Sequence, residues 1–116
     1  MCGIFGGVGV DVSEARQCLE KIRRGEDGIT IKQYDSVVMG SRRHLVKESD
    51  KPGVGPGESD QPYSSENGTV HLVYNGELYN FVEIRNDLAS GGTSFETNGD
   101  TEVWLKSYER YGLEFV

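Results

Sequence analysis

Cysteine is nearly missing from this sequence: of 116 residues only Cys2 and Cys18 carry a thiol, and only two are histidines. Neither a disulfide framework nor a zinc site at the usual Cys/His spacing can be built from so few, so the cysteines are read singly. Basic residues are in deficit as well, 12 Lys and Arg against 19 Asp and Glu, for a formal charge of −7. That sign works against a nucleic-acid or anionic-membrane partner, since both attract Lys/Arg-rich patches. No apolar run approaches the roughly 20 residues of a membrane span. The opening MCGIFGGVGVD also lacks the basic region and longer apolar stretch of an export leader, so a cytoplasmic protein is expected. The length predicts one small domain over residues 1–116 with a single core.

What is present alternates between β-rich and helical patterns. GIFGGVGV (3–10) reads as a buried, central strand, and Ser13 to Arg23 as a helix with Ala15, Cys18, Leu19 and Ile22 on its apolar face. Ser13 is its expected N-cap, Gly25 its stop, and Cys18 a small core residue. ITIKQ (29–33) and SVVMGSR (36–42) form two strands about Tyr34-Asp35, and KPGVGPGESD (51–60), with two of the three prolines, an exposed loop.

Asn67-Gly68 signals a tight turn before the strand TVHLVYN (69–75). Asn80 with Glu83 resembles a capping box for a helix with Phe81, Ile84 and Leu88 on one face and Gly91 past its end. Asp100 opens the last helix, where Trp104, Tyr108 and Tyr111 share a stripe before Gly112. The order of elements predicts an α+β fold.

Some features take a plain reading. The glycine-rich 53–57 segment lacks the GK[ST] ending of a phosphate-binding loop, and Asn67-Gly68-Thr69 is a turn rather than a glycosylation site. His71 lies in a strand with no acidic or nucleophilic neighbour implied and is assigned to structure.

A cysteine directly after an initiator methionine has one distinctive possibility. Removal of Met1 would give Cys2 both a thiol and a free α-amine, and an α-amine titrates near neutrality, so nucleophile and base would share one residue. On position alone, a small residue ahead of a glycine-rich strand is the favoured reading. Its company changes this. MCGIFG at the start, RRGEDG at 23–28, GSRRHLV at 40–46, YNGELYN at 74–80 and FETNGDTEVWLKSYERYG at 95–112 resemble, in order, the motifs of class II glutamine amidotransferases. The likeness is greatest to the N-terminal glutaminase domain of glutamine-dependent asparagine synthetases.

The resemblance implies an N-terminal-nucleophile fold, a sandwich of two antiparallel sheets between helical layers. It also implies hydrolysis of the glutamine side-chain amide to glutamate and ammonia through a γ-glutamyl thioester on Cys2, with no cofactor and no metal. By likeness, Asn75 and the backbone N–H of Gly76 form the oxyanion hole, where donors are required. Arg43 would grip the glutamine α-carboxylate, a task suited to a planar bidentate cation. Glu77 and Asp100 match the positions that bind the α-ammonium, and Asp100 has a rival role as helix N-cap. Departures from the family pattern are Glu26 for proline, Ser41 for histidine and His44 for leucine. The family domain runs on past Val116, so a C-terminally incomplete sandwich is expected, its open edge suited to a homo-oligomer or a separate synthetase subunit. The alternative function is a non-catalytic, amidotransferase-like module that binds glutamine or complements a partner chain.

Overall fold

The computed structural model describes residues 2–24, 28–43 and 61–116. The chain makes two compact units, Met1–Glu48 with Val73–Gly76 and Ser49–Leu72 with Glu77–Val116. Both are mixed α/β with antiparallel strands. Among the described residues, no helix is long and apolar enough to cross a membrane.

The first unit holds β1 (Gly3–Val8), α1 (Val12–Lys21), β2 (Gly28–Tyr34) and β3 (Val37–Arg43). The β2–β3 hairpin expected from the sequence turns through Asp35 at φ 53, with Tyr34 paired to Val37. β3 is central, in the order β1-β3-β2. β1 was expected in that position but, among the described residues, pairs on one side only, with β3.

Side chains alternate across a strand, so the residues facing α1 can be read from contacts. A Cβ on Gly40 would lie 2.7 Å from Leu19 Cδ1, and one on Gly3 would lie 2.7 Å from Ile22 Cδ1. Gly3, Phe5 and Gly7 of β1 and Val38, Gly40 and Arg42 of β3 therefore share the α1 face, with Ile29 and Ile31 of β2 opposite their partners. Ala15, Leu19 and Val38 are fully buried there. Burial of a Leu or Val side chain stabilises by about 1.5–3 kcal/mol. The opposite face leaves Ile4 and Val8 exposed.

Two expectations about α1 are corrected. Its N-cap is Asp11, not Ser13: Asp11 Oδ1 accepts from Glu14 N at 2.8 Å and Glu14 Oε2 from Asp11 N at 3.2 Å. The Asp-x-x-Glu spacing satisfies two otherwise unmet donors at once, which a serine already inside the helix cannot do. Cys18 is exposed rather than in the core, because Ala15, Leu19 and Ile22 define the buried line. The helix ends at Lys21 with Ile22 as C-cap, and Gly25 and Glu26 lie outside the described residues, as do His44 and the 51–60 segment.

The second unit holds β4 (Tyr63–Ser64), β5 (His71–Leu72), α2 (Phe81–Ser90), α3 (Asp100–Tyr111) and a 3₁₀ turn over Gly112–Phe115. Gly68 makes the turn between β4 and β5 at φ 69. The strand expected over 69–75 shrinks to His71–Leu72 because the N–H groups of Thr69 and Val70 turn to the Ser65 hydroxyl, at 3.2 and 3.0 Å.

α2 starts at Asn80 as N-cap, yet the capping box with Glu83 does not form. Asn80 has φ −96 and ψ 24 instead of the extended conformation from which a cap side chain reaches the first turn. Its other end meets expectation: Gly92 N donates to Ala89 O and Thr93 N to Leu88 O, the paired bonds of a Schellman motif. On α3, Thr101, Glu102, Val103, Leu105 and Ser107 are buried. The aromatic stripe instead sits at the margin, with Tyr108 and Tyr111 both 44% exposed. Trp104 is covered edge-on by Phe115 at 4.7 Å, brought back by the 3₁₀ turn that periodicity did not foretell.

Gly40→Ala should destabilise the protein by about 1–3 kcal/mol, since the added methyl meets the Thr30 carbonyl oxygen at 3.1 Å as well as Leu19. A lowered urea midpoint at unchanged slope is the expected result; an unchanged midpoint contradicts the close approach of α1.

Candidate active site

Cys2 lies one residue before β1, half-buried. Its backbone nitrogen donates to Asn75 Oδ1 at 3.2 Å, a bond that spans 73 positions of sequence. A backbone N–H can only donate, so the amide oxygen of Asn75 must face Cys2. The Nδ2 group, with two hydrogens, is thereby turned to the other side and is available as a donor. Gly76 follows, exposed. A Cβ there would stand 3.0 Å from the Tyr74 hydroxyl oxygen, so the absence of a side chain leaves room for that ring.

Arg43 ends β3 and is half-buried. Gly3 pairs with Arg42, and both face α1. Alternation therefore sends Arg43 to the far side of the sheet, while Cys2 immediately precedes Gly3, the residue paired with Arg42. Cys2, Asn75, Gly76 and Arg43 all belong to the first unit. Ser41, which stands where a histidine was expected, is buried on the same face as Arg43.

Glu77 and Asp100 belong to the second unit. Glu77 is exposed. Asp100 is not the N-cap of α3: Gly99 holds that position, with no side-chain cap bond. Asp100 is the first helical residue, and its Oδ2 accepts from Leu78 N at 3.0 Å. One carboxylate oxygen thus braces the stretch that follows Glu77, and among the described residues the other, Oδ1, has no donor. The conflict between cap and ligand noted in the sequence is removed.

Sequence reasoning missed Glu102. It is 1% exposed, and its carboxylate accepts from Glu96 N at 3.0 Å, from Thr97 N at 2.6 Å and from the Thr97 hydroxyl at 2.6 Å. A buried carboxylate persists when donors surround it. Here they come from the turn leading into Asp100, so Glu102 shapes the entry to α3. No periodic signal marks it, because on a helical projection it falls among polar neighbours. The surroundings are anionic: burial pushes the Tyr63 phenol up to about 12, and the carboxylates of Glu102, Glu96 and Glu66 push the same way. Such a field favours a cation.

His71 has a partner that the sequence did not imply. Ser64, directly across β4–β5, places its hydroxyl 2.9 Å from His71 Nδ1. Among the described residues no three His, Cys, Asp or Glu side chains gather into a metal-binding group.

A family model described as a glutamine amidotransferase domain matches residues 1–116. The glutamine-hydrolyzing asparagine synthetase 2 of Oryza sativa subsp. japonica is 37% identical over 123 aligned positions, covering 100% of this chain and 19% of that protein. Asparagine synthetase 3 of Arabidopsis thaliana is 34% identical, with 100% and 20% covered. Asparagine synthetase 1 of Bacillus subtilis is 34% identical over 93 residues, with 80% and 14% covered. The chain thus spans a fifth or less of the length of these relatives.

Glu102→Gln should cost about 1–3 kcal/mol, because one amide NH2 would face N–H groups that need an acceptor. Chemical denaturation measures this, and a variant of wild-type stability would show that the carboxylate does not hold the 96–97 turn.

Proposed function

The chain belongs to the glutamine amidotransferase domain family, and on that premise we propose that it hydrolyses the side-chain amide of glutamine, with Cys2 as nucleophile and glutamate and ammonia as products. The observation that carries this is the bond from Cys2 N to Asn75 Oδ1. It joins the two groups the chemistry must bring together, the nitrogen that acts as base and the amide that meets the oxyanion. Removal of Met1 converts that nitrogen into a free amine.

In the proposed cycle Cys2 Sγ adds to the glutamine amide carbon while its thiol proton passes to the α-amine. Asn75 Nδ2 and Gly76 N–H donate to the oxygen that becomes negative. Collapse breaks the C–N bond, the amine returns the proton to the leaving nitrogen, and ammonia departs. Water, deprotonated by the same amine, then cleaves the thioester and restores Cys2. Arg43 takes the α-carboxylate in a bidentate grip, while Glu77 and the free Oδ1 of Asp100 take the α-ammonium. These assignments follow the motif positions.

The sheet face bearing Ile4 and Val8, exposed by 44% and 74%, supports an N-terminal-nucleophile sandwich in which a second sheet covers it. On the same reading the ammonia serves asparagine formation by a synthetase, in the same chain, a partner subunit or a homo-oligomeric assembly, in the cytoplasm.

Cys2→Ala should end glutamate release from glutamine while the circular dichroism spectrum stays native; persistent release would exclude Cys2 as nucleophile. Asn75→Ala should lower kcat by about 10²- to 10³-fold with a much smaller change in KM, the mark of a donor used in the transition state. A rise in KM alone would assign Asn75 to substrate binding instead.

A further inference from the structure

Arg42 lies beside the proposed carboxylate-binding arginine but on the opposite face of the sheet, and its guanidinium carries an unusual load. Nη1 donates to the carbonyl oxygens of Leu19 at 3.1 Å, Glu20 at 2.7 Å and Ile22 at 2.6 Å. These are carbonyls at the C-terminal end of α1, where the helix presents its negative pole, and the Leu19 oxygen also accepts from Ile22 N at 3.1 Å. α1 has no glycine C-cap; Ile22 closes it in an extended conformation, φ −73 and ψ 115. The cation from β3 does that work.

The same residue touches the nucleophile's strand by a second route. Arg42 pairs through its backbone with Gly3, the residue that follows Cys2. Ile22, whose carbonyl Arg42 holds, packs its side chain onto Gly3 so closely that a Cβ there would lie 2.7 Å from Cδ1 and 2.8 Å from Cγ2. Guanidinium, helix end, Ile22 side chain and Gly3 backbone form a closed ring of contacts on one face. On the other face, one residue along β3, stands Arg43, and Cys2 immediately precedes Gly3.

We infer that Arg42 is a positioning residue, a latch that locks the C-terminal end of α1 onto the start of β1 and thereby sets the placement of Cys2 relative to Arg43. The inference rests on the proposed glutaminase role for its effect on rate, and on geometry alone for its effect on β1. Two discrete attachments to Gly3, one through backbone and one through Ile22, distinguish it from a general stabiliser of the helix.

The test compares the full chain with Arg42→Met, which keeps the length of the side chain without donors, and Arg42→Lys, whose ammonium restores donors and charge. Arg42→Met should fold, as judged by circular dichroism, and lose roughly ten-fold or more in kcat for glutamine with KM within about two-fold, since a small displacement of a nucleophile costs rate more than binding. Arg42→Lys should recover most of that rate. Hydrogen exchange at Gly3 and Ile4 should quicken in Arg42→Met while exchange within α2 is unchanged.

A rise in KM at constant kcat, an unchanged kcat, or a lysine variant as defective as the methionine one would each overturn the latch. Should Arg42→Met fail to fold, Ile22→Ala, which removes the packing on Gly3 and keeps the carbonyl bonds, should show the same kcat loss; a wild-type kcat there overturns it. If the wild-type chain releases no glutamate, the proposed function fails by itself. The latch is then judged on exchange at Gly3, and unchanged exchange in Arg42→Met overturns it.

Discussion

A helix can come into contact with a sheet's backbone only where the strand beneath it gives up its side chain, and in this chain β3 does so at Gly40, where Leu19 fills the space a Cβ would need. From that approach follow the burial of Ala15, Leu19 and Val38, the reach of Arg42 to the carbonyls of α1 and the seating of Ile22 on Gly3. Hydrophobic burial supplies much of the gain. Its direction is set by the glycines, since the same helix over a β3 with a full row of side chains would be held off the sheet.

With α1 on one face, strand alternation turns Arg43 to the other. Arg42 and Arg43 are adjacent in sequence and identical in charge, yet one closes a helix while the other is turned to the opposite side of the sheet. The acidic residues of α3 divide in a comparable way. Glu102 is sunk among backbone donors, and Asp100, two residues earlier, spends one oxygen on Leu78 and keeps the other. In both pairs the residue type alone is uninformative, and the partner decides the role.

The sequence made elements legible where local rules act alone. The β2–β3 hairpin, the Gly68 turn, the Schellman end of α2 and Gly112 at the end of α3 depend on turn chemistry within a few residues. Expectations failed where a side chain competes for backbone groups. Asp11 outbids Ser13 because Glu14 answers it, and Ser65 captures the N–H groups that would have lengthened β5. Asp100 is drawn from its capping role by Leu78, a partner 22 residues away. The candidate site residues come from the ordered motifs. The bond from Cys2 to Asn75 was not readable in advance, since nothing in either neighbourhood encodes a contact so far along the chain.

That bond also has a meaning in time. At synthesis rates of roughly 5–20 residues per second, Cys2 leaves the ribosome several seconds before Asn75 does. Throughout that interval the amino terminus has no native partner to shield it, so an aminopeptidase meets it in an open chain. On the proposed function the oxyanion donor arrives afterwards, and processing would uncover the nucleophile before the group that makes it productive exists.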